Sequence, residues 1–138
     1  MTKQPEVVKS QFRKTGNETK VNSSLLIETI SEALLEKKAK NIVVLDVRDL
    51  TTLTDFFVVC HGTSDTQIKA LSDIVEEKTR ENLGEKPWKK EGIDSRRWII
   101  LDYVNVVVHI FNQEKREFYG IERMWNDAIV TEINDTES

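Results

Sequence analysis

Residues 97–111 constrain the fold of this chain more than any other stretch, because their apolar side chains need cover on two sides. Apolar residues occupy consecutive positions at 98–101 and again at 106–108. Alternate side chains of a strand point to opposite faces, so both faces of these strands must be buried or must bind a partner. The sequence predicts a β-hairpin whose turn falls around residues 103–105, where Asn105 takes a positive φ more readily than most residues.

The length and composition predict one globular domain. A chain of 138 residues can bury a substantial core, and 32% charged with 38% hydrophobic residues is ordinary for a water-soluble domain. The single Cys60 excludes an internal disulfide. No apolar run approaches the roughly 18 residues of a membrane span and the first residues lack an apolar signal region, so we expect a cytoplasmic protein.

The two ends of the chain are polar. Residues 1–22 contain too few apolar side chains to offset the entropy lost on ordering, and residues 127–138 form a polar, acidic end, so both are predicted to be flexible tails around a domain at 23–126. The net charge of −4 argues against a protein that binds by neutralising many phosphates.

Hydrophobic periodicity predicts the order helix, two strands, helix, three strands, helix. Ser23 or Ser24 can cap the first helix, a capping box from Ser64 to Gln67 opens the second, and Gly84 stops it. Interior strands are expected at 42–47 and 56–60 and an edge strand at 86–91, and Asn112 caps a last helix with an apolar side made of Phe118, Ile121, Met124 and Trp125. The predicted class is α/β, a mixed sheet of about five strands with helices packed on it.

The turn at Gly62-Thr63-Ser64 is a candidate phosphate site. Helix amides after a strand can hold a phosphate, but the turn lacks the lysine and spacing of a P-loop, and capping already accounts for Ser64. A nucleotidyltransferase also needs two or three acidic side chains that converge on metal ions. Asp46, Asp49, Asp55 and Asp102 are available, but no Asp-x-Asp pair follows this turn. A nucleotide-binding enzyme of that type remains the alternative function.

The cysteine and the two histidines do not form a recognisable catalytic or metal-ligand pattern. Cys60 and His61 are adjacent on a strand and therefore point to opposite faces, so Cys60 is interpreted as a buried, inert thiol. We predict no catalytic residue, no metal site and no cofactor. His109 is interpreted as a core histidine held by a hydrogen bond, with Asp102 as one candidate partner.

Basic and aromatic residues interleave before and within the hairpin. Such a mixture can contact RNA, although acidic neighbours lower the local field. Tryptophan, tyrosine and arginine are also enriched at the centres of protein interfaces, so protein binding is the other use of this surface. The residues concerned are Lys86, Trp88, Lys89, Lys90, Arg96, Arg97 and Trp98.

The order of the motifs resembles the ribosomal silencing factor family, also called the Iojap family. The resemblance covers residues 24–126 and is carried by LDVR at 45–48, TDFFVVCHGTS at 54–64, EG at 91–92, WIILDY at 98–103, VVHIF at 107–111 and REFYGIERMW at 116–125. It implies a nucleotidyltransferase-like fold without the catalytic carboxylates. It also implies a protein that is not an enzyme, binds the large ribosomal subunit at ribosomal protein fourteen of the large-subunit series, sterically blocks the small subunit, and represses translation under nutrient limitation or in stationary phase.

The resemblance assigns the partner-binding surface to the hairpin. Carried over by position, it comprises Trp98, Asp102 and Tyr103, with Lys89, Lys90 and Arg97 as neighbours. The family usually has Gly-Asp where Val104-Asn105 stand here, so the turn and an acidic contact at Asn105 are expected to differ. Limited contact with ribosomal RNA is compatible with this surface, no membrane partner is expected, and a homodimer that hides the hairpin in the free protein is a third hypothesis.

Overall fold

A six-stranded mixed sheet forms the centre of the molecule. The computed structural model describes residues 22–134. In chain order the elements are α1 (Ser23–Glu36), β1 (Lys40–Asp46), β2 (Phe56–Gly62), α2 (Asp65–Leu83), β3 (Lys89–Glu91), β4 (Trp98–Asp102), β5 (Val106–Asn112), α3 (Gln113–Tyr119), α4 (Ile121–Met124) and β6 (Ile129–Ile133). The predicted α/β class is confirmed.

The predicted hairpin lies inside this sheet. The strand order is β3-β4-β5-β2-β1-β6, and β4 pairs antiparallel with β5 from Trp98 opposite Phe111 to Asp102 opposite Val107. Strands β5 and β2 are parallel, whereas the other pairs are antiparallel. The short β3 lies at one edge, as the sequence predicts for this segment.

Helices α1 and α2 cover one face of the sheet, which we call the helix face. Their apolar sides and the inward residues of β1, β2, β4 and β5 form the main core. Its largest fully buried members are Leu26, Ile30, Leu34, Ile42, Ile68, Leu71, Ile99, Leu101 and Ile110. On β1, β2 and β5 the continuous apolar runs reflect burial on both faces, because their other apolar residues enter a second cluster on the opposite face.

The opposite face carries a smaller cluster, and α3 and α4 cover only part of it. Its buried members lie mainly on β1, β2 and β5, and they are Val43, Leu45, Val47, Val59, Phe111 and Ile121. Toward β4, the side chains of Trp98, Ile100 and Val107 remain partly accessible. We call this uncovered region the open face.

Three of the four predicted helix boundaries are confirmed. Ser64 accepts a hydrogen bond from the Gln67 amide at 3.0 Å, Asn112 accepts one from the Lys115 amide at 2.8 Å, and Gly84 ends α2 with a φ of 66°. The cap of α1 differs, because Asn22 accepts from the Leu25 amide at 2.9 Å. Neither serine was the cap, since the chain enters the helix one residue earlier than predicted.

The positive φ of the hairpin turn lies at Val104 and not at Asn105. Val104 has a φ of 77°, and the Asn105 amide donates to the Tyr103 carbonyl at 3.0 Å. A hydrogen bond between residues i and i+2 around a positive φ defines a tight γ-turn, which is strained for a β-branched residue. The Asp102 carboxylate supports this turn by accepting from the Val104 amide at 2.8 Å.

The C-terminal part of the chain departs most from the sequence prediction. The predicted last helix is divided at Gly120, whose φ is 60°, so Phe118 and Met124 are exposed and do not share a buried side with Ile121. Residues Ile129–Ile133 form β6, which pairs antiparallel with β1, so the tail predicted from residue 127 was wrong for this segment. The tail predicted for residues 1–22 lies outside the described residues except for Asn22.

Candidate protein-binding face

The open face is built from alternate residues of two neighbouring strands. Trp98, Ile100 and Asp102 of β4 are partly accessible, whereas Ile99 and Leu101 between them are fully buried toward the helices. Lys89 of the edge strand lies opposite Asp102 in the register and therefore shares its face. Three of the sequence-predicted contact residues thus lie on one surface.

An aromatic group extends this surface beyond the hairpin. The Trp98 ring stacks on Phe111 at a centroid distance of 4.9 Å and meets Tyr119 at 4.6 Å. Tyr119 in turn meets Phe118, which is 71% exposed. Sequence reasoning missed Phe118 and Tyr119 as surface residues, because the apolar spacing of residues 118–125 suggested one continuous helix, and Gly120 was the signal that divides it.

The Trp98 side chain is held from below by His109. The indole Nε1–H donates to His109 Nδ1 at 3.0 Å. Burial lowers the pKa of His109 to about 4, so the ring is neutral near pH 7. The prediction of a hydrogen-bonded core histidine is confirmed, but its partner is Trp98 and not Asp102, which lies opposite Val107 in the register.

Two predicted contact residues do not reach the surface. Tyr103 is only 4% exposed, and its hydroxyl lies 2.9 Å from Thr79 Oγ1 of α2. Burial raises the pKa of Tyr103 to about 12. Asn105 is also buried and donates its side-chain amide to Ser23 Oγ at 2.8 Å. Both side chains point into the helix layer, so in this conformation neither is available to a partner.

The three basic candidates occupy different surroundings. Lys90 lies opposite Leu101 in the register, points to the helix face and pairs with Glu76 at 3.3 Å. Lys89 pairs with Glu91 at 3.3 Å on the open face, and Arg97 is exposed just before β4. Lys90 therefore lies apart from the surface that carries Trp98.

A second apolar patch borders Asp102 at the turn end of the hairpin. A cleft of about 280 Å³ is lined by Leu53, Trp88, Asp102 and Val104. Leu53 is 84% exposed and Trp88 72% exposed. Asp102 therefore lies between this patch and the aromatic group around Trp98, and the two apolar areas form one discontinuous strip with a carboxylate in it.

A polar cleft of about 480 Å³ lies at the carboxyl ends of β2 and β5. Arg116 donates from Nη1 to His61 Nδ1 at 2.9 Å, and its Nε and Nη2 donate to the two oxygens of Glu122 at 3.0 and 2.8 Å. Burial, and then the Arg116 charge, lower the pKa of His61, and the Arg116 hydrogen bond lowers the pKa of Glu122. These groups satisfy one another and connect α3 and α4 to β2.

The candidate phosphate turn beside this cleft uses its polar groups internally. The Thr63 amide donates to Gln67 Oε1 at 2.7 Å, and Ser64 caps α2. Gly62 does not have a positive φ, and its role is close packing, since a Cβ there would lie 3.0 Å from Ile68 Cγ1. The prediction that Cys60 is buried is confirmed, and burial raises the pKa of its thiol to about 12, which disfavours the reactive thiolate form.

Among residues 22–134, no group of three or more histidine, cysteine, aspartate or glutamate side chains is arranged to hold a metal ion. None of the helices within that range is long and apolar enough to cross a membrane.

Residues 20–138 match the model of a protein family described as RsfS, ribosomal silencing factor during starvation. The chain is 32% identical over 114 residues to the ribosomal silencing factor RsfS of Bacillus subtilis, which covers 83% of this chain and 96% of that protein. It is 36% identical over 108 residues to the chloroplastic protein Iojap of Zea mays, covering 76% of this chain and 45% of that one.

Solved structures agree with this similarity. A crystal structure of a protein from Chromobacterium violaceum superposes with a TM-score of 0.71 and 34% sequence identity, covering 75% of this chain and 85% of that one. A second, from Bacillus halodurans, gives a TM-score of 0.68 with 31% identity over 75% of this chain and 95% of that one.

Proposed function

The chain belongs to the ribosomal silencing factor family, and from that premise we propose that it binds the large ribosomal subunit through its open face and sterically blocks joining of the small subunit. The partner we infer on that subunit is ribosomal protein fourteen of the large-subunit series, at the subunit interface. The outcome is repression of translation under nutrient limitation or in stationary phase. The observation that carries the proposal is the uncovered sheet face around Trp98, where the side chains of Trp98, Ile100 and Val107 stay partly accessible.

The chemistry of this face suits a protein partner. Interface centres are enriched in tryptophan and tyrosine, which supply a large contact area at a low cost in conformational entropy. Trp98 lies on a strand of the central sheet and its ring contacts Phe111 and Tyr119, so its position is well defined. The Asp102 carboxylate and the Leu53–Trp88 patch extend the contact area at the turn end.

No chemical step is needed for such a function. An interface of about 1,600 Å² in total holds a specific complex, and a domain bound at the docking surface of another body excludes that body by volume. The net charge of −4 favours encounter with a basic ribosomal protein, because opposite charge raises the association rate. The same charge lowers affinity for bare RNA, so contact with ribosomal RNA is limited to the rim of the interface.

The test is co-sedimentation with purified large subunits. Trp98→Ala is expected to weaken binding about tenfold or more, as loss of a hot-spot contact does. Asp102→Asn is expected to weaken it about threefold, as loss of a contact at the rim does. Matched controls are Ile129→Ala and Asp127→Asn, which remove an exposed apolar side chain and a carboxylate away from the open face. Equal binding by all four variants would overturn the assignment of this face.

The subunit-joining assay tests the function itself. Saturating protein is expected to reduce formation of whole ribosomes from purified subunits, and unimpeded joining would contradict the proposal. Two rival functions are measured on the same preparation. Calorimetry with nucleoside triphosphates and magnesium tests a nucleotide-binding enzyme, and the solution mass with and without large subunits tests a homodimer that persists when bound.

A further inference from the structure

The hydrogen bond between Trp98 and His109 joins an accessible residue of the open face to a buried one. Trp98 Nε1 and His109 Nδ1 lie 3.0 Å apart on neighbouring antiparallel strands. His109 is 6% exposed, and its ring also meets Phe57 edge-on at a centroid distance of 5.0 Å. The histidine ring is therefore fixed in place before any partner arrives.

The direction of this bond determines the state of the imidazole. An indole nitrogen can only donate, so Nδ1 must accept and His109 is neutral with its proton on Nε2. Within residues 22–134, that Nε2 atom is buried without a hydrogen-bond partner. A buried donor without a partner costs free energy.

Packing alone does not explain a histidine at this position. A leucine or phenylalanine would fill similar space among aromatic neighbours without an unpaired donor. The imidazole adds one thing that those residues lack, which is an acceptor directed at the Trp98 indole. The unpaired Nε2–H of His109 costs free energy, but the same imidazole ring gives the Trp98 indole a defined orientation.

We propose that His109 is a positioning residue, which holds the Trp98 ring in the orientation that the partner binds; this inference rests on the proposed function. When a large side chain becomes ordered only on binding, the affinity falls by roughly threefold to tenfold. A ring that is already fixed avoids that loss. His109 itself need not touch the partner.

The same bond defines what the partner must present. Since the indole N–H is occupied by His109, Trp98 offers only the apolar and π surface of its ring. Aliphatic and cationic side chains bind such a surface, whereas a hydrogen-bond acceptor gains nothing from it. Asp102, whose carboxylate accepts only the Val104 amide among the described contacts, favours a cationic neighbour on the same partner.

The test compares two substitutions of His109 in the full chain. His109→Asn keeps an acceptor near the position of Nδ1, whereas His109→Leu fills the space without one. We expect His109→Leu to bind purified large subunits three to ten times more weakly, at unchanged or increased stability toward urea, and His109→Asn to recover most of the affinity. Equal affinity of wild type and His109→Leu would overturn the inference, as would equal loss in both variants.

A spectroscopic measurement on the free protein separates this inference from the proposed function. The chain has three tryptophans, and Trp98→Phe identifies the indole N–H resonance of Trp98. That resonance is expected to shift and to exchange faster with solvent in His109→Leu but not in His109→Asn. An unshifted resonance in His109→Leu would overturn the positioning role. If the wild type fails to bind large subunits, the proposed function is lost, while the resonance still decides whether His109 orients Trp98.

Discussion

Asn105 and Ser23 are 82 positions apart in the chain, yet the Asn105 side-chain amide donates to Ser23 Oγ at 2.8 Å in a buried site. The Asn105 carbonyl also accepts from the amides of Asp55 and Phe56 at 3.1 and 3.2 Å. The hairpin turn is thereby tied to the start of α1 and to the start of β2. Asn105 stabilises the fold at the point where three elements meet.

Asn105→Ala is expected to lower the free energy of unfolding by about 1 to 3 kcal/mol, because it removes a buried hydrogen bond and leaves a hydroxyl with one partner fewer. Urea unfolding measures this, with the exposed Asn126→Ala as the control. Affinity for large subunits per folded molecule should stay within twofold of the wild type. A large loss of affinity without a loss of stability would instead identify Asn105 as a direct contact.

Val104→Gly is expected to stabilise the protein by about 1 kcal/mol. The φ of 77° at Val104 costs about 1 to 3 kcal/mol for a residue with a side chain, and part of the gain is offset by the larger entropy of glycine in the unfolded chain. The measurement is the urea midpoint at an unchanged m-value. Val104→Ala serves as the matched variant, since it shortens the side chain but keeps a Cβ at the same φ, and it should give little stabilisation. A midpoint for Val104→Gly below that of Val104→Ala would contradict strain at this turn.

Residues 97–111 show which features of the fold were predictable from the sequence. Continuous apolar runs required cover on both faces, and the structure confirms a hairpin inside a mixed sheet. The caps at Ser64, Gly84 and Asn112 were also predictable, because helix capping is local. The Ser64 and Asn112 side chains accept from amides three residues further on, and Gly84 takes the positive φ that ends a helix.

Features that depend on distant parts of the chain were not predictable. Strand β6 has the exposed burial pattern of an edge strand, and although four of its five residues are β-branched, its place in the sheet depends on pairing with the distant β1. The direction of the Tyr103 and Asn105 side chains depends on the exact position of the tight turn. A shift of one residue along a strand moves a side chain to the other face of the sheet. The hydrogen bond from Trp98 to His109 required the register of β4 against β5.

Acidification from pH 7 to pH 5 is expected to lower the stability of the wild type by about 2 kcal/mol through His109. Its pKa is about 4 in the folded protein against about 6.5 in the unfolded chain, so below pH 6.5 the unfolded state takes up a proton that the folded state does not. The stability is fully present above pH 6.5 and falls as the pH falls toward 4. His61, whose pKa is also lowered, acts in the same direction. Urea unfolding at both pH values should show a smaller loss in His109→Asn, and an equal loss would mean that His109 does not contribute.

Glu122→Gln is expected to lower the free energy of unfolding by about 2 kcal/mol at pH 7. Arg116 is buried and donates two hydrogen bonds to the Glu122 carboxylate, while its remaining Nη1 holds His61 at 2.9 Å. A neutral amide accepts only one of these bonds and leaves a buried positive charge without a counter-ion; the cost stays below that of a fully buried pair because Glu122 is partly accessible. Glu117→Gln, at an exposed position on α3, is the matched control and should change stability by less than about 0.5 kcal/mol.

Because the pKa of Glu122 is lowered by Arg116, the stability difference between wild type and Glu122→Gln should shrink as the pH falls through the folded pKa of this carboxyl. A difference that is the same at pH 7 and pH 3 would show that the carboxylate charge is not what stabilises the join between α3 and β2.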